Sequence, residues 1–407
     1  MQTSYNTERS LIMHVDLNSA FATAEQQARP MLRGKPIAVV NRRTENTAIV
    51  TASYEAKALG VQVGMRFSQA KLLAPGLLAI ESDPVKYRYV YRKLLAILND
   101  YSPHVTMKSI DEGSLDFHDM ISDRSLVEIG YEIKQRLKDE IGCAMRCNVG
   151  IGPNRFLAKM AAGLHKPDGL DYIDHTNLRQ IFESLQLRDL TGIAYHNEAR
   201  LNAVGIMTPL QFLDADIVTL EKVVFKSIVG GHWHQRLRGY EVDDRVFDIK
   251  RVGRQFVLDS RNLTRQQIVQ RLHHLCESVG SRLRGQNKVA RGIYVYAKTT
   301  DRRYWHASRM SQLPFFSDAT IFSLAQQLFY NAPGDIREIG VHCYELSNDT
   351  TPQLSLFGDQ LAREHHLVSA IDTINSRYGD RTVHSADTLK TGDFVKQKIP
   401  FGSTRYL

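Results

Sequence analysis

Three carboxylates, in two short stretches of sequence, carry the clearest chemical potential. Asp16 ends the apolar run LIMHVD and stands directly before a helical stretch. A carboxylate at the end of a buried strand, on a strand-to-helix turn, is a common way to hold a metal ion. Asp111 and Glu112 are neighbours in SIDEGSLD, on what reads as an adjacent hairpin. Three such groups brought together repel one another unless cations neutralise them. Two magnesium ions about 3.5–4 Å apart would do so, and would also stabilise the attacking and leaving oxygens of a phosphoryl transfer. Adjacent residues of a regular strand point to opposite faces, so a local bend is needed if Asp111 and Glu112 are both to face Asp16. Spacing alone leaves the alternative open that these are ordinary surface carboxylates.

The elements that would position them can be read from periodicity. LIMHVDL, PIAVVN and AIVTAS are short apolar strands, with helices over Ser19–Arg29, Tyr54–Leu59 and Val85–Asp100. VTMKSIDEGSLDF reads as two strand pieces around a turn, and CNVGIG as another strand. Asn154 to Leu164 has helical spacing and is stopped by HKPDG. This mixture indicates an α/β or α+β catalytic domain over residues 11 to 175. Residues 178 to 240 read as short helices. Gly192 separates two of them and Gly205 ends the next, a partial helix-hairpin-helix layout whose amides could hold a DNA phosphate.

After a charged connector, EVDDRVFDI, the chain reads as βαββαβ. The strands are VGRQFVL, ARGIYVYAKTT, RRYWHAS and REIGVHCYEL, and the helices cover 264–284 and 318–330. Ile268, Leu272, Leu275, Val279 and Leu283 form a one-sided stripe on the first helix. In IYVYAK alternate side chains face opposite ways, so one set is available to nucleic acid.

Charge supports that reading. Residues 245–345 hold 16 Lys/Arg against 8 Asp/Glu, which accounts for the whole net charge of +8. Concentrated positive charge suits a phosphate-tracking module, although a solvated basic face would look the same. A chain of 407 residues exceeds the size of a single core, so several domains are expected. No apolar run reaches membrane-spanning length and the N-terminus does not resemble a secretory signal, which makes the cytoplasm the expected location. The four cysteines are too few for a disulfide framework. Cys143 and Cys147 have no second pair to complete a zinc site, so buried free thiols are expected.

Four motifs change the weight of the carboxylates. HVDLNSAFATAEQQARPMLRGKPIAVV, TASYEAKALGVQVGM, SIDEGSLD and VGIGPNRFLAKMAAGLHKPDG occur in the order and spacing of Y-family DNA polymerases, and the chain resembles DNA polymerase IV and the catalytic subunit of DNA polymerase V. The resemblance implies an α+β right-hand polymerase with a ferredoxin-like palm (1–22 and 77–175) and small fingers (23–76). A helical thumb (176–240), a linker (241–249), a βαββαβ little finger that binds DNA (250–346) and a C-terminal tail (347–407) complete it.

The resemblance further implies that Asp16, Asp111 and Glu112 bind two magnesium ions, with the carbonyl of Leu17 facing one of them. Phe21 matches an aromatic steric gate that excludes a 2′-hydroxyl. Tyr54 and Lys57 match a fingers pair on the incoming triphosphate, and Lys166 a palm lysine on the same group. Each has a plainer reading, as a core aromatic, a packing tyrosine or solvated lysines. Two residues depart from the family's usual pattern. Lys57 stands where arginine is commoner, exchanging a bidentate fork for a point charge. Asn18 stands where a second aspartate is common, which makes that carboxylate dispensable here.

Gln353-Leu354-Ser355-Leu356-Phe357 resembles the peptide by which bacterial polymerases dock on a sliding clamp, with Leu356 and Phe357 as apolar anchors. The implied activity is error-prone translesion synthesis in DNA repair and the SOS response, on primer–template DNA with dNTPs. An accessory subunit of polymerase V type is a further implied partner. No exonuclease motif is apparent. A clamp-bound scaffold without activity would have no use for the three carboxylates. A nucleotide cyclase would have no use for the hairpin-like thumb, the basic segment or the clamp peptide.

Overall fold

The computed structural model describes residues 4–120, 124–244, 248–348, 359–392 and 394–395. The described residues divide into two compact units, the first over residues 4–244 and the second over residues 248–395.

The first unit opens with β1 (Ile12–Leu17) and α1 (Ala20–Ala28), followed by β2 (Ile37–Val40), β3 (Ile49–Ala52), α2 (Tyr54–Ala58), α3 (Phe67–Leu73) and β4 (Leu78–Glu81). Then come α4 (Pro84–Asn99), β5 (His104–Met107), β6 (Glu112–Asp116), α5 (Leu126–Glu140), β7 (Cys147–Gly152), α6 (Arg155–Leu164) and β8 (Leu170–Tyr172). The main sheet has the order β5-β6-β1-β7-β8, with β1 central and antiparallel to both neighbours. Its β1-α4-β5-β6-α5-β7 core has the strand order of a ferredoxin-like βαββαβ unit. Met13, Val15 and Leu17 point to the side packed by α4 and α5, where Leu94, Ile97, Ile133 and Leu137 lie in the same core. On β7, α6 comes so close that a Cβ on Gly150 would meet the carbonyl oxygen of Ala158 at 2.0 Å. Only glycine allows that approach.

The strands β3-β2-β4 form a separate small sheet with its own core around Val40, Ile49 and Phe67. The strand at Leu78–Glu81 and the helices at Phe67–Leu73 and Leu126–Glu140 are additions to the elements expected from periodicity. β4 is too short, and flanked by too little pattern, to register by periodicity. Beyond β8, α7 (Leu178–Glu183), α8 (Tyr195–Asn202), α9 (Pro209–Asp214) and α10 (Val229–Leu237) gather around Phe182, Phe212 and Trp233, and share one side of α6. Gly192 and Gly205 bracket α8 and both have positive φ, 96° and 82°.

The second unit contains β9 (Arg251–Val257), α11 (Arg265–Arg284), β10 (Lys288–Thr299), β11 (Tyr304–Phe315), α12 (Asp318–Phe329) and β12 (Ile336–Asn348). Its antiparallel sheet has the order β11-β10-β12-β9. The stripe on α11 is buried throughout, and Ile293, Val295 and Ala297 join it in the core. Tyr294, Tyr296 and Lys298 therefore occupy the other face. There Tyr296 stacks on Tyr304 and on His342. β11 runs well past the expected RRYWHAS and includes Pro314. That is tolerated because β11 is an edge strand paired only with β10.

Three findings differ from expectation. The positive charge of this unit is not all available to a ligand. Arg271 is paired bidentately with Asp259, at 2.6 and 2.8 Å, and Arg284 is paired with Asp318 and Asp372. Arg265 caps the carbonyls at the end of α12, donating to Phe329, Tyr330 and Ala332. Burial also lowers the pKa of Arg254 to about 10. The tail, in turn, is part of the unit. It contains α13 (Asp359–Tyr378), and Val368 and Val395 are buried in the same core as α11. All four cysteines are free thiols, but Cys143 is exposed, in the turn between α5 and β7.

Candidate active site

Strand alternation and register assemble the site. Asp16 lies directly opposite Glu112 on β6 and Asn148 on β7, so three polar residues meet across three neighbouring strands. His14, two residues before Asp16, shares its face of β1. Asp111 sits in the bend just ahead of β6, and its carbonyl accepts a 2.9 Å hydrogen bond from the amide of Leu17. This bend is the departure from regular strand geometry that the adjacent acids require.

Lysines and a histidine hold the carboxylates. Lys166 donates to Asp16 Oδ2. Lys159, on α6, donates to Glu112 Oε2 at 2.6 Å, and His14 Nε2 lies 3.1 Å from the same oxygen. Burial opposes ionisation of Glu112, yet the hydrogen bonds from His14 and Lys159 hold its carboxyl down at about 2. Asp111 shifts the other way. Burial raises its pKa, a hydrogen bond from Ser109 opposes this, and the charges of Asp16 and Glu112 add to the rise. One ligand atom each from His14, Asp16 and Glu112 lies within 4.8 Å of the others. Asp111 stands beside this group with its Oδ1 turned to Ser109 Oγ. Carboxylate oxygens whose present counter-charges are lysine ammonium groups suit a hard divalent cation.

The small sheet brings α2 to the same place. Ser53 caps this helix through its hydroxyl. Lys57 Nζ donates to Ser19 Oγ at 2.7 Å and lies 4.6 Å above the ring of Tyr54. Burial and the neighbouring charge of Lys166 lower the pKa of Lys57. Burial and the charge of Asp16 raise that of Tyr54. Phe21 is in the core, 4% exposed, with its ring stacked on Tyr87 at 4.2 Å. Tyr87 is fixed in turn by a 2.9 Å hydrogen bond to the buried Glu25. Leu17 has a buried side chain and pairs with Cys147. The peptide Gln353–Phe357 lies outside the described residues.

His14, Lys159, Ser109, Ser19 and Asn148 were not singled out from sequence. His14 had a readable signal, since it is two residues from Asp16 on one strand. Ser109 is likewise only two residues from Asp111, whereas Lys159 and Asn148 are brought to the acids by helix docking and strand register.

The second unit's four-stranded sheet and the first unit's two-sheet-plus-helices design are those of the Y-family DNA polymerases, and the chain superposes on solved members of that class. A Y-family DNA polymerase chimera of Dbh and Dpo4 matches with a TM-score of 0.70 at 24% identity, covering 82% of this chain and 98% of the other. An insertion ternary complex of Dbh DNA polymerase matches over the same extent with a TM-score of 0.59. The chain belongs to the impB/mucB/samB family, that is, to the Y-family DNA polymerases. The family's description matches residues 15–163 and that of its C-terminal domain residues 249–356. Among curated relatives, DNA polymerase IV of Moorella thermoacetica is 32% identical over 93% of this chain and 96% of its own length. DNA polymerase IV 1 of Bacillus subtilis is 29% identical over 93% of each.

Proposed function

We propose that this chain is a template-directed, error-prone DNA polymerase for translesion synthesis. As a family member it is an enzyme of the nucleotidyltransferase class. One observation carries the finer reading: Asp16 and Glu112 face each other across β1 and β6, with Asp111 in the adjoining bend and Lys159 and Lys166 as their counter-charges. In this reading Asp16, Asp111, Glu112 and the carbonyl of Leu17 hold two magnesium ions. When bound, these would neutralise the acids and polarise the reacting phosphate oxygens. Lys166, released from Asp16, and Lys57 with Tyr54 would grip the triphosphate of a dNTP while the primer 3′-hydroxyl attacks its α-phosphate. Pyrophosphate leaves. The domain boundaries expected from sequence, palm to tail, belong to the same proposal.

The test is primer extension on a defined template with magnesium and single dNTPs. Incorporation directed by the template base is expected. Extension that ignores the template, or none in the presence of a sliding clamp, would remove the reading. The same assay addresses the steric gate. The Phe21 ring is clamped between core and Tyr87, so it cannot yield to an added hydroxyl. Phe21→Ala is expected to raise ribonucleotide incorporation relative to dNTPs by about 10²-fold. Unchanged sugar discrimination would return Phe21 to a packing role alone.

A bacterial sliding clamp is the proposed partner of Gln353, Leu354, Ser355, Leu356 and Phe357, with Leu356 and Phe357 filling an apolar pocket. Replacing both anchors by alanine is expected to leave distributive synthesis intact and to remove clamp stimulation. Stimulation equal to wild type would exclude this site. An accessory subunit of polymerase V type is proposed only as a further partner. No helix among the described residues is long and apolar enough to cross a membrane, in keeping with the proposed cytoplasmic setting.

A further inference from the structure

The loop that carries Lys166 is held by a continuous chain of amide hydrogen bonds. Asp168 N–H donates to Asn18 Oδ1 at 2.8 Å. Asn18 Nδ2 donates to Asn148 Oδ1 at 2.8 Å, and Asn148 Nδ2 donates to the carbonyl of His165 at 3.0 Å. Both asparagines are buried, Asn148 completely. The backbone groups at the two ends fix the direction of the whole chain. An amide N–H can only donate and a carbonyl can only accept, so each asparagine has one workable orientation. The two anchored residues, His165 and Asp168, flank Lys166.

This explains why residue 18 is an amide. An aspartate there would still accept from Asp168 N–H but would offer no donor to Asn148 Oδ1. Asn148 would then have to turn, setting its oxygen against the His165 carbonyl. The loop also closes tightly on the Asn148 amide. A Cβ on Gly169 would lie 2.2 Å from the His165 oxygen and 3.0 Å from Asn148 Nδ2. A buried donor or acceptor left without its partner in such a chain is costly, so the chain has one well-defined arrangement.

We infer that Asn18 and Asn148 are positioning residues for nucleotide binding: together they fix the His165–Asp168 loop on the end of β1 and so set Lys166 against Asp16 and the incoming triphosphate. The inference rests on the proposed contact between Lys166 and the triphosphate. Neither asparagine needs to touch the nucleotide. Each acts through the loop backbone.

The test is steady-state single-nucleotide incorporation by wild type, Asn148→Ala, Lys166→Ala and the double variant, with primer–template binding measured in parallel to show that each is folded. Asn148→Ala is expected to raise the KM for dNTP on the order of tenfold, with a much smaller change in kcat. In the Lys166→Ala background the same substitution is expected to have little further effect. If Lys166→Ala raises KM but Asn148→Ala adds its full factor on top, the positioning role is overturned and the Lys166 contact stands. If Lys166→Ala leaves KM unchanged, the Lys166 contact itself is wrong and the inference falls with it. Should Asn148→Ala not fold, Asn148→Ser is the second variant. Its hydroxyl can accept from Asn18 but is too short to reach His165, and the same rise in KM is expected. A fall in kcat with KM unchanged would count against the role in either variant.

Discussion

Asp16→Ala and Asp111→Ala are each expected to reduce templated primer extension by at least about 10³-fold while leaving the protein folded. The two substitutions reach that result from different positions. Asp16 is the residue on which the site is built: it ends the central strand, faces Glu112 and is the present partner of Lys166. In the proposed site, removing it takes away a cation ligand, and it leaves two lysines, 57 and 166, beside one another without the nearest negative charge. Asp111 is held in the bend by Ser109, and its ionisation is opposed by burial and by its two acidic neighbours. A group in that condition gains from an added divalent cation, and in the proposed site its loss deprives the cation of a neighbouring carboxylate. Neither change removes apolar contacts: deleting Asp111 relieves repulsion among the acids, and the Asp16–Lys166 pair lost with Asp16 is partly exposed and contributes little to stability. Thermal unfolding without magnesium should therefore be close to wild type. Residual extension within about tenfold of wild type for either variant would show that the acid in question is not a ligand to the catalytic cations.

Much of this site was legible because its signals are local. A short apolar strand that leads to Asp16 and runs into a helix can be read from one window, and so can the stripe on α11. The adjacent pair Asp111–Glu112 even announced the bend it needs. What could not be read depends on partners far apart in the chain. Asn148 matters because of the β1–β7 register, and Lys159 because α6 docks on glycines of β7. The α6 sequence, read for its apolar stripe, shows only the side facing the core. The basic excess of the second unit was legible as composition but not as availability. Arg284 is neutralised by Asp372, 88 residues later, and nothing in the composition distinguishes such an arginine from one free to meet phosphate.

The same long-range pairing makes the tail the second place where a large effect is expected. Ending the chain after residue 358 should destabilise the second unit by roughly 3–5 kcal/mol, because it strips a buried carboxylate of its partners. Glu277, on α11, accepts from Arg381, from Ser385 N–H at 3.0 Å and from Thr388 Oγ1 at 2.9 Å, all of them in the tail. The truncation also removes Asp372 from Arg284, Thr391 from His274 and the buried Val368 and Val395 from the core. The conservative probe is Arg381→Ala in the full-length chain, which takes the charge partner from Glu277 and keeps the tail in place. By calorimetry, a fall in Tm on the order of 10 °C is expected for the truncation and a smaller fall for Arg381→Ala. A truncated protein that melts with wild type would mean that the tail is an appendage and that α11 is stable without it. The consequence reaches beyond stability. Residues 349–358 connect β12 to α13, and both ends belong to the same folded unit. A truncation that removes Gln353–Phe357 would therefore remove the cover of α11 as well, and a lost clamp response could not be told from a damaged domain. Side-chain replacements at Leu356 and Phe357 in the complete chain separate the two, because they leave the Glu277 and Arg284 pairings in place.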